Sequence, residues 1–184
     1  MTPDGRTLLF ADNGPKTDTD IWLLPLEGER KPHVFLQTPF MDNTPRLSPD
    51  GRWMAYLSDE SGRIEVYVRP FPGPGGKWQI STEGGQGIVW SSKGNELFYR
   101  AGAKMMAVDI QTQPTFSAGK PRLLFEAPKA AVQPRAGLGG DYSVSPDGQR
   151  FLMVRPREQA QASLTQINVV MNWFEELKRK VPLH

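Results

Sequence analysis

The stretch SPDGRWMAY, residues 48–56, decides how this chain reads. Pro49 presets φ at the second place of a type I turn. Asp50 tolerates the third place and bonds nearby backbone, and Gly51 suits the fourth. Trp53, Met54 and Tyr56 then begin a run with the composition of a packed strand. Taken alone, the stretch is a functional loop or a turn between strands, and recurrence separates the two. TPDGRTLLF starts at residue 2, SSKGNELFY at 91 and SPDGQRFLM at 145, giving spacings of 46, 43 and 54 residues. A period in the forties in a strand-rich chain points to propeller blades of four strands each. Pro3, Asp4, Gly5, Pro49, Asp50, Gly51, Gly94, Pro146, Asp147 and Gly148 are therefore structural turn markers.

Strands fall in a fixed cadence around the markers. One follows each marker, over 6–11, 52–58, 96–100 and 150–155. A second comes at 20–24, 64–69, 104–110 and 165–171, and a third at 33–37, 77–81 and 122–126. A short innermost strand precedes three markers, at 43–47, 87–90 and 141–144. Residues 63–69 alternate polar and apolar, the half-buried signal, whereas 53–57 are nearly all apolar and suit a strand packed on both faces. The expected architecture is all-β: about four four-stranded antiparallel blades, the first and last incomplete, over repeats 1–40, 41–85, 86–127 and 139–172. The pattern reads as an arc of a larger ring, or as a four-blade ring closed alone. In the tail 173–184, Asn172 caps a short helix, Glu175 and Glu176 sit in its first turn and Lys178, Arg179 and Lys180 in its last.

Composition narrows the function. With 22 basic and 20 acidic side chains the net charge is +2, which argues against a nucleic-acid or membrane-surface partner. The absence of cysteine excludes disulfides, thiolate metal sites and a cysteine nucleophile. No apolar run reaches the roughly 20 residues of a spanning helix, and the start MTPDGRTLLF is not a signal peptide. The compartment stays open.

The repeated SPDGR, the Asp20-Ile21-Trp22 strand start and the strand-turn cadence resemble the TolB-type, WD-like β-propeller family. The segments 65–73, 78–85, 96–100 and 166–177 are similar to the C-terminal propeller of bacterial serine/threonine protein kinases of the acidobacterial type. That resemblance spans the chain. It implies a kinase on the N-terminal side, often followed by a membrane span, and a sensing or protein-interaction role for the propeller, outside the cytoplasm where the kinase is membrane-anchored. Family rings usually have six or more blades, and Ser91-Ser92-Lys93-Gly94 departs from the marker by lacking both Pro and Asp.

No catalytic apparatus is legible. The kinase Gly-rich loop, strand lysine, His-Arg-Asp and Asp-Phe-Gly motifs are absent. Glycines at 73–76, 119 and 137–140 lack the spacing of phosphate or dinucleotide loops and read as turns. There is no Gly-x-Ser-x-Gly, and the two histidines, His33 and His184, give no triad. Asp12, Asp18 and Asp20 share one loop but fit no calcium loop, so they too read as turn residues. No cofactor and no metal are expected. Trp22, Trp53, Tyr67, Trp78 and Trp90 belong between blades.

By geometry the binding candidates are Asn43, Arg46, Gln86, Trp90, Asp141 and Tyr142, on or beside innermost strands at the channel rim. The expected function is a non-catalytic binding or scaffold module taking a protein or small ligand, with self-association through exposed blade edges. The competing expectation is an accessory propeller of a peptidase or hydrolase, or a TolB-like periplasmic interaction protein. The connector 70–76 and the insertion 127–140 are expected to be mobile.

Overall fold

The structure is a computed structural model that describes residues 1–14, 17–113, 115–126 and 142–153. They form antiparallel sheets arranged as consecutive blades. The first blade holds β1 (Thr7–Asn13), β2 (Thr19–Pro25) and β3 (His33–Leu36), in that order from the inside. The second runs β4 (Asp42–Leu47), β5 (Trp53–Ser58), β6 (Glu65–Pro70) and β7 (Trp78–Gln79). The third runs β8 (Gln86–Trp90), β9 (Glu96–Ala101) and β10 (Lys104–Gln111), with β11 (Ser117–Ala118) and β12 (Arg122–Glu126) sharing the outer edge of β10. Of the fourth, β13 (Tyr142–Val144) pairs with β14 (Phe151–Met153). The expected tail helix, the strand 165–171, the insertion 127–140 and Asp141 lie outside the described residues.

Each marker is a closed hydrogen-bonded turn. In the second blade Ser48 N donates to Trp53 O (2.8 Å) and Gly51 N to Ser48 O (2.9 Å). Ser48 Oγ donates to Asp50 Oδ1 (2.5 Å), which also accepts from Arg52 N (3.1 Å). Thr2 to Thr7 and Ser145 to Arg150 repeat the pattern. The serine or threonine hydroxyl and the backbone N–H two residues on, of Arg6 or Gln149, hold the carboxyls of Asp4 and Asp147 below the usual carboxylate range. In the divergent third marker Asn95 stands in for the missing aspartate, its Oδ1 3.2 Å from Ser91 Oγ. The markers also interlock between blades. A Cβ on Gly51 would lie 3.0 Å from Pro3 Cδ, and one on Gly94 3.3 Å from Pro49 Cδ. Where Ser92 replaces the proline, its hydroxyl donates instead to Pro146 O (2.7 Å).

The marker turn also sets register. Thr7 faces Pro25, Trp53 faces Pro70 and Glu96 faces Asp109, so the middle strands of three blades superimpose residue for residue. Alternating side chains then feed two different cores. Met54 and Tyr56 pack with Tyr67 against Ile21 and Leu36 of the first blade. Ala55, Leu57, Val66 and Val68 pack against Leu97, Tyr99, Val108 and Ile110 of the third. Phe98, Met105 and Ala107 meet Tyr142 of the fourth. Burial on both faces explains why residues 53–57 carry no polar alternation.

Expectations for the outer strands need adjustment. The β7 ladder covers only Trp78–Gln79, because Ser81 is drawn off to bond a buried carboxylate. The connector 70–76 was expected to be mobile. It is tied down at Phe71, whose N–H donates to Arg52 O (2.8 Å) and whose ring lies 5.2 Å from Phe35.

Candidate functional site

The markers join first and second strands, so they occupy one end of each blade. The opposite end carries the hairpins after the second strands and the crossings from one blade to the next. There a cleft of about 370 Å³ opens between the second and third blades. Arg63 and Ile64 come from one hairpin, Gly84, Gly85 and Gln86 from the crossing, and Arg100 and Gly102 from the next hairpin.

Buried carboxylates build this end. Glu65 begins β6 and is 1% exposed. Its Oε1 accepts from Gly84 N (2.9 Å) and pairs with Arg63 Nε (2.8 Å), and its Oε2 accepts from Ser81 Oγ. Arg63 also donates to Thr82 O. One acid thus fixes both the arginine at the cleft wall and the crossing beside it. Asp20 holds the equivalent place in the first blade, accepting from Thr17 Oγ1 (2.6 Å) and Gln37 Nε2 (2.9 Å). The third blade has Lys104 there, paired at the surface with Glu83 (3.4 Å). A third buried acid, Asp42, starts β4 and accepts from Thr38 Oγ1 (2.6 Å); burial pushes its carboxyl above the usual range. Among the described residues no three potential metal ligands converge.

Innermost strands share a bulge at this end. Asn43 and Arg46 face Leu57 and Ala55, and Gln86 and Val89 face Arg100 and Phe98, so each strand carries one extra residue. The chain turns left-handed at Thr44 (φ 52°) and Gly87 (φ 62°). A Cβ on Gly87 would lie 3.3 Å from Tyr142 Cε1. Gly87→Ala is expected to destabilise by about 1–3 kcal/mol through backbone strain plus that contact. Gly28→Ala, with φ 67° and open space, should pay the strain alone. Thermal unfolding of the two variants checks the difference.

The structure scatters the rim candidates. Gln86 is exposed and lines the cleft opposite Arg100. Asn43 and Arg46 are half-buried on β4. Trp90 packs into the core between the second and third blades and donates Nε1 to Arg46 O (3.1 Å). Tyr142 is 4% exposed, its hydroxyl without a hydrogen-bond partner among the described residues. Asp141 lies outside them. Arg63, Gly84, Gly85, Arg100 and Gly102 were not among the site candidates, although segments 78–85 and 96–100 carried the family resemblance. The readable signal was Arg100, a charge where the register of β5 has Leu57.

Burial raises Tyr99 to about 12 and raises Tyr56 and Tyr142 further, so all three hydroxyls stay protonated at neutral pH. His33 is exposed on the outer strand β3, far from the cleft in the fold.

Comparison with known proteins agrees on architecture. TolB from Acinetobacter baumannii aligns with a TM-score of 0.61 at 22% identity, over 82% of this chain and 35% of that one. The fold is a β-propeller. A TolB-type structure from Agrobacterium tumefaciens gives 0.57 at 17% identity, over 83% of this chain and 57% of that one. In sequence, Tricorn protease homolog 1 of Streptomyces coelicolor is 30% identical over 118 residues, 58% of this chain. The chain spans 10% of that relative's length. No family model matches.

Proposed function

We propose that this chain is a non-catalytic β-propeller binding module whose ligand, a protein segment or a small molecule, docks at the cleft end. The observation that carries this is the cleft itself: about 370 Å³, walled by Arg63, Arg100, Gln86 and bare glycine backbone. Glu65 orients its Arg63 wall, and the marker end offers turns whose polar groups are consumed internally. Loops held by a rigid sheet are where such folds bind.

A photocrosslinking amino acid at position 86 tests it. In the cell of origin, position 86 should give a discrete adduct that Arg63→Glu removes, and the same group at Lys93 on the marker end should give none. Equal adducts from both ends, or none from position 86, would refute the reading.

The parent protein is a separate matter. The segment resemblances in 65–73 and 166–177 favour a kinase-linked sensor. The 118-residue similarity to a Tricorn protease homolog favours an accessory propeller beside a peptidase. The flanking coding sequence decides between them: a kinase domain upstream supports the first, a hydrolase domain downstream the second.

A further inference from the structure

We infer that the cleft, resting on its reading above as the binding site, takes a glutamate side chain of a protein partner. The carboxylate lies on Arg63, the methylenes on Ile64 and the backbone on Gln86. Three observations point to that occupant: the bonding of Arg63, the bare amide of Gln86 and the contrast between the two joints of the first three blades.

Arg63 is held but not used up. Its Nε pairs with Glu65 Oε1 (2.8 Å) and its Nη2 donates to Thr82 O. Both N–H groups of Nη1 and the second of Nη2 have no partner among the described residues, and the side chain is 61% exposed. Two bonds thus fix a guanidinium whose outer edge still offers parallel donors, the geometry a planar carboxylate meets with two bonds. Nearby acids are already engaged. Glu65 is enclosed by Gly84 N, Ser81 Oγ and Arg63, Glu83 pairs with Lys104 (3.4 Å) and Glu60 with Lys77. Gln86 is exposed, and its side-chain amide has no partner among the described residues. An amide offers a donor and an acceptor together, which matches one peptide unit of a partner chain.

The joint between the first and second blades is built from the opposite materials. Asn43 faces Leu57 as Gln86 faces Arg100, so Met41 and Asp42 stand where the cleft has Gly84 and Gly85. Ser58 faces Glu65 as Ala101 faces Lys104, so Asp59 stands at the place of Gly102. Asp59 closes that joint by accepting from Met41 N (2.9 Å), and Asp42 is buried there. Asp18, two residues before the buried Asp20, takes the place that Arg63 has before Glu65. The first joint is thus filled and acidic. The second is open and has an arginine at its wall, and a Cβ on Gly84 or Gly102 would meet no atom within 4 Å. That contrast selects an anionic group. One free fork suits a monoanionic carboxylate, whereas a phosphate draws on a cluster of arginines.

The test uses the full chain, isotope-labelled for NMR, and the blocked synthetic peptide GGEGG, with GGQGG as its uncharged counterpart. Amide shifts at Gly84, Gly85 and Gly102 should show the Glu peptide binding about tenfold or more tighter than the Gln peptide. Arg63→Gln should abolish that preference, and Arg63→Lys, which keeps the charge without the fork, should keep part of it. Gln86→Ala, at an exposed position, should weaken the Glu peptide by about threefold and leave free glutarate unchanged. Equal affinity of the two peptides, no shift at about 10 mM Glu peptide, or shifts confined to the marker end overturns the inference. Glutarate binding as tightly as the Glu peptide overturns it too, since the ligand is then a free carboxylate, and so does tighter binding of a phosphoserine peptide. Crosslinking from position 86 separates the two levels. An adduct without a Glu preference refutes the glutamate alone, and no adduct refutes the cleft reading with it.

Discussion

Trp53→Ala is expected to lower unfolding free energy by about 3–5 kcal/mol, as large aromatic-to-alanine changes in packed cores do. Trp53 begins β5, yet its ring reaches the outer part of the core between the second and third blades. Its centroid is 5.6 Å from that of Trp78, edge-on, and 4.6 Å from that of Phe116, which is also 4.6 Å from Trp78. These three rings join β5, the short β7 and the segment just before β11. Because β7 has only two ladder residues, much of its attachment is this aromatic contact. The variant should therefore lose exchange protection first over residues 78–81. Trp53→Phe should recover about half of the loss, since it refills part of the cavity. Denaturant titration checks the magnitude. A loss below about 1 kcal/mol would place Trp53 outside the core.

Glu65→Ala is expected to cost about 2–4 kcal/mol, by a different route. Alanine removes the acceptor for Gly84 N and Ser81 Oγ at a buried site, and each stranded donor costs about 1–3 kcal/mol. Ser81 Oγ is itself the acceptor for Val66 N (2.8 Å), so the loss should spread into β6. Arg63 is largely exposed, so losing that ion pair adds little. Lys104→Ala, at the equivalent position in the third blade, should change stability by less than about 0.5 kcal/mol, because Lys104 and Glu83 meet at the surface. Thermal melts of the two variants side by side check the contrast. Equal losses would show that the position, rather than the buried acid, matters.

The architecture was legible because its signal is local and repeated. A Ser-Pro-Asp-Gly turn closes with its own side chains, so four residues suffice to place a strand boundary, and the spacing supplies the blade. Even the divergent Ser91–Gly94 turn keeps its geometry through Asn95, two positions from where the aspartate would stand. The cleft was not legible. Its walls come from three separate connections, and an arginine or a glycine in a hairpin is ordinary in each. Glu65 and Asp20 became comparable only once strand pairing placed both at the same rung. The rim candidates show the limit of counting strands: innermost position put Gln86 at the cleft, but it also named Trp90 and Tyr142, whose bulk is drawn into the neighbouring cores. β11 escaped notice because two residues leave no periodicity to read.

The proline of one marker resting on the glycine of the next has a consequence for how such chains grow. Each repeat carries both halves of the joint, a tab and a socket. Copying a whole repeat therefore copies a unit that fits its predecessor and offers the same fit to its successor, with no new complementarity to be invented. A glycine replaced in one socket is felt by the proline of the repeat before it. Lineages should therefore change these two positions together, or convert the joint to another kind, as Ser92 and Pro146 already have.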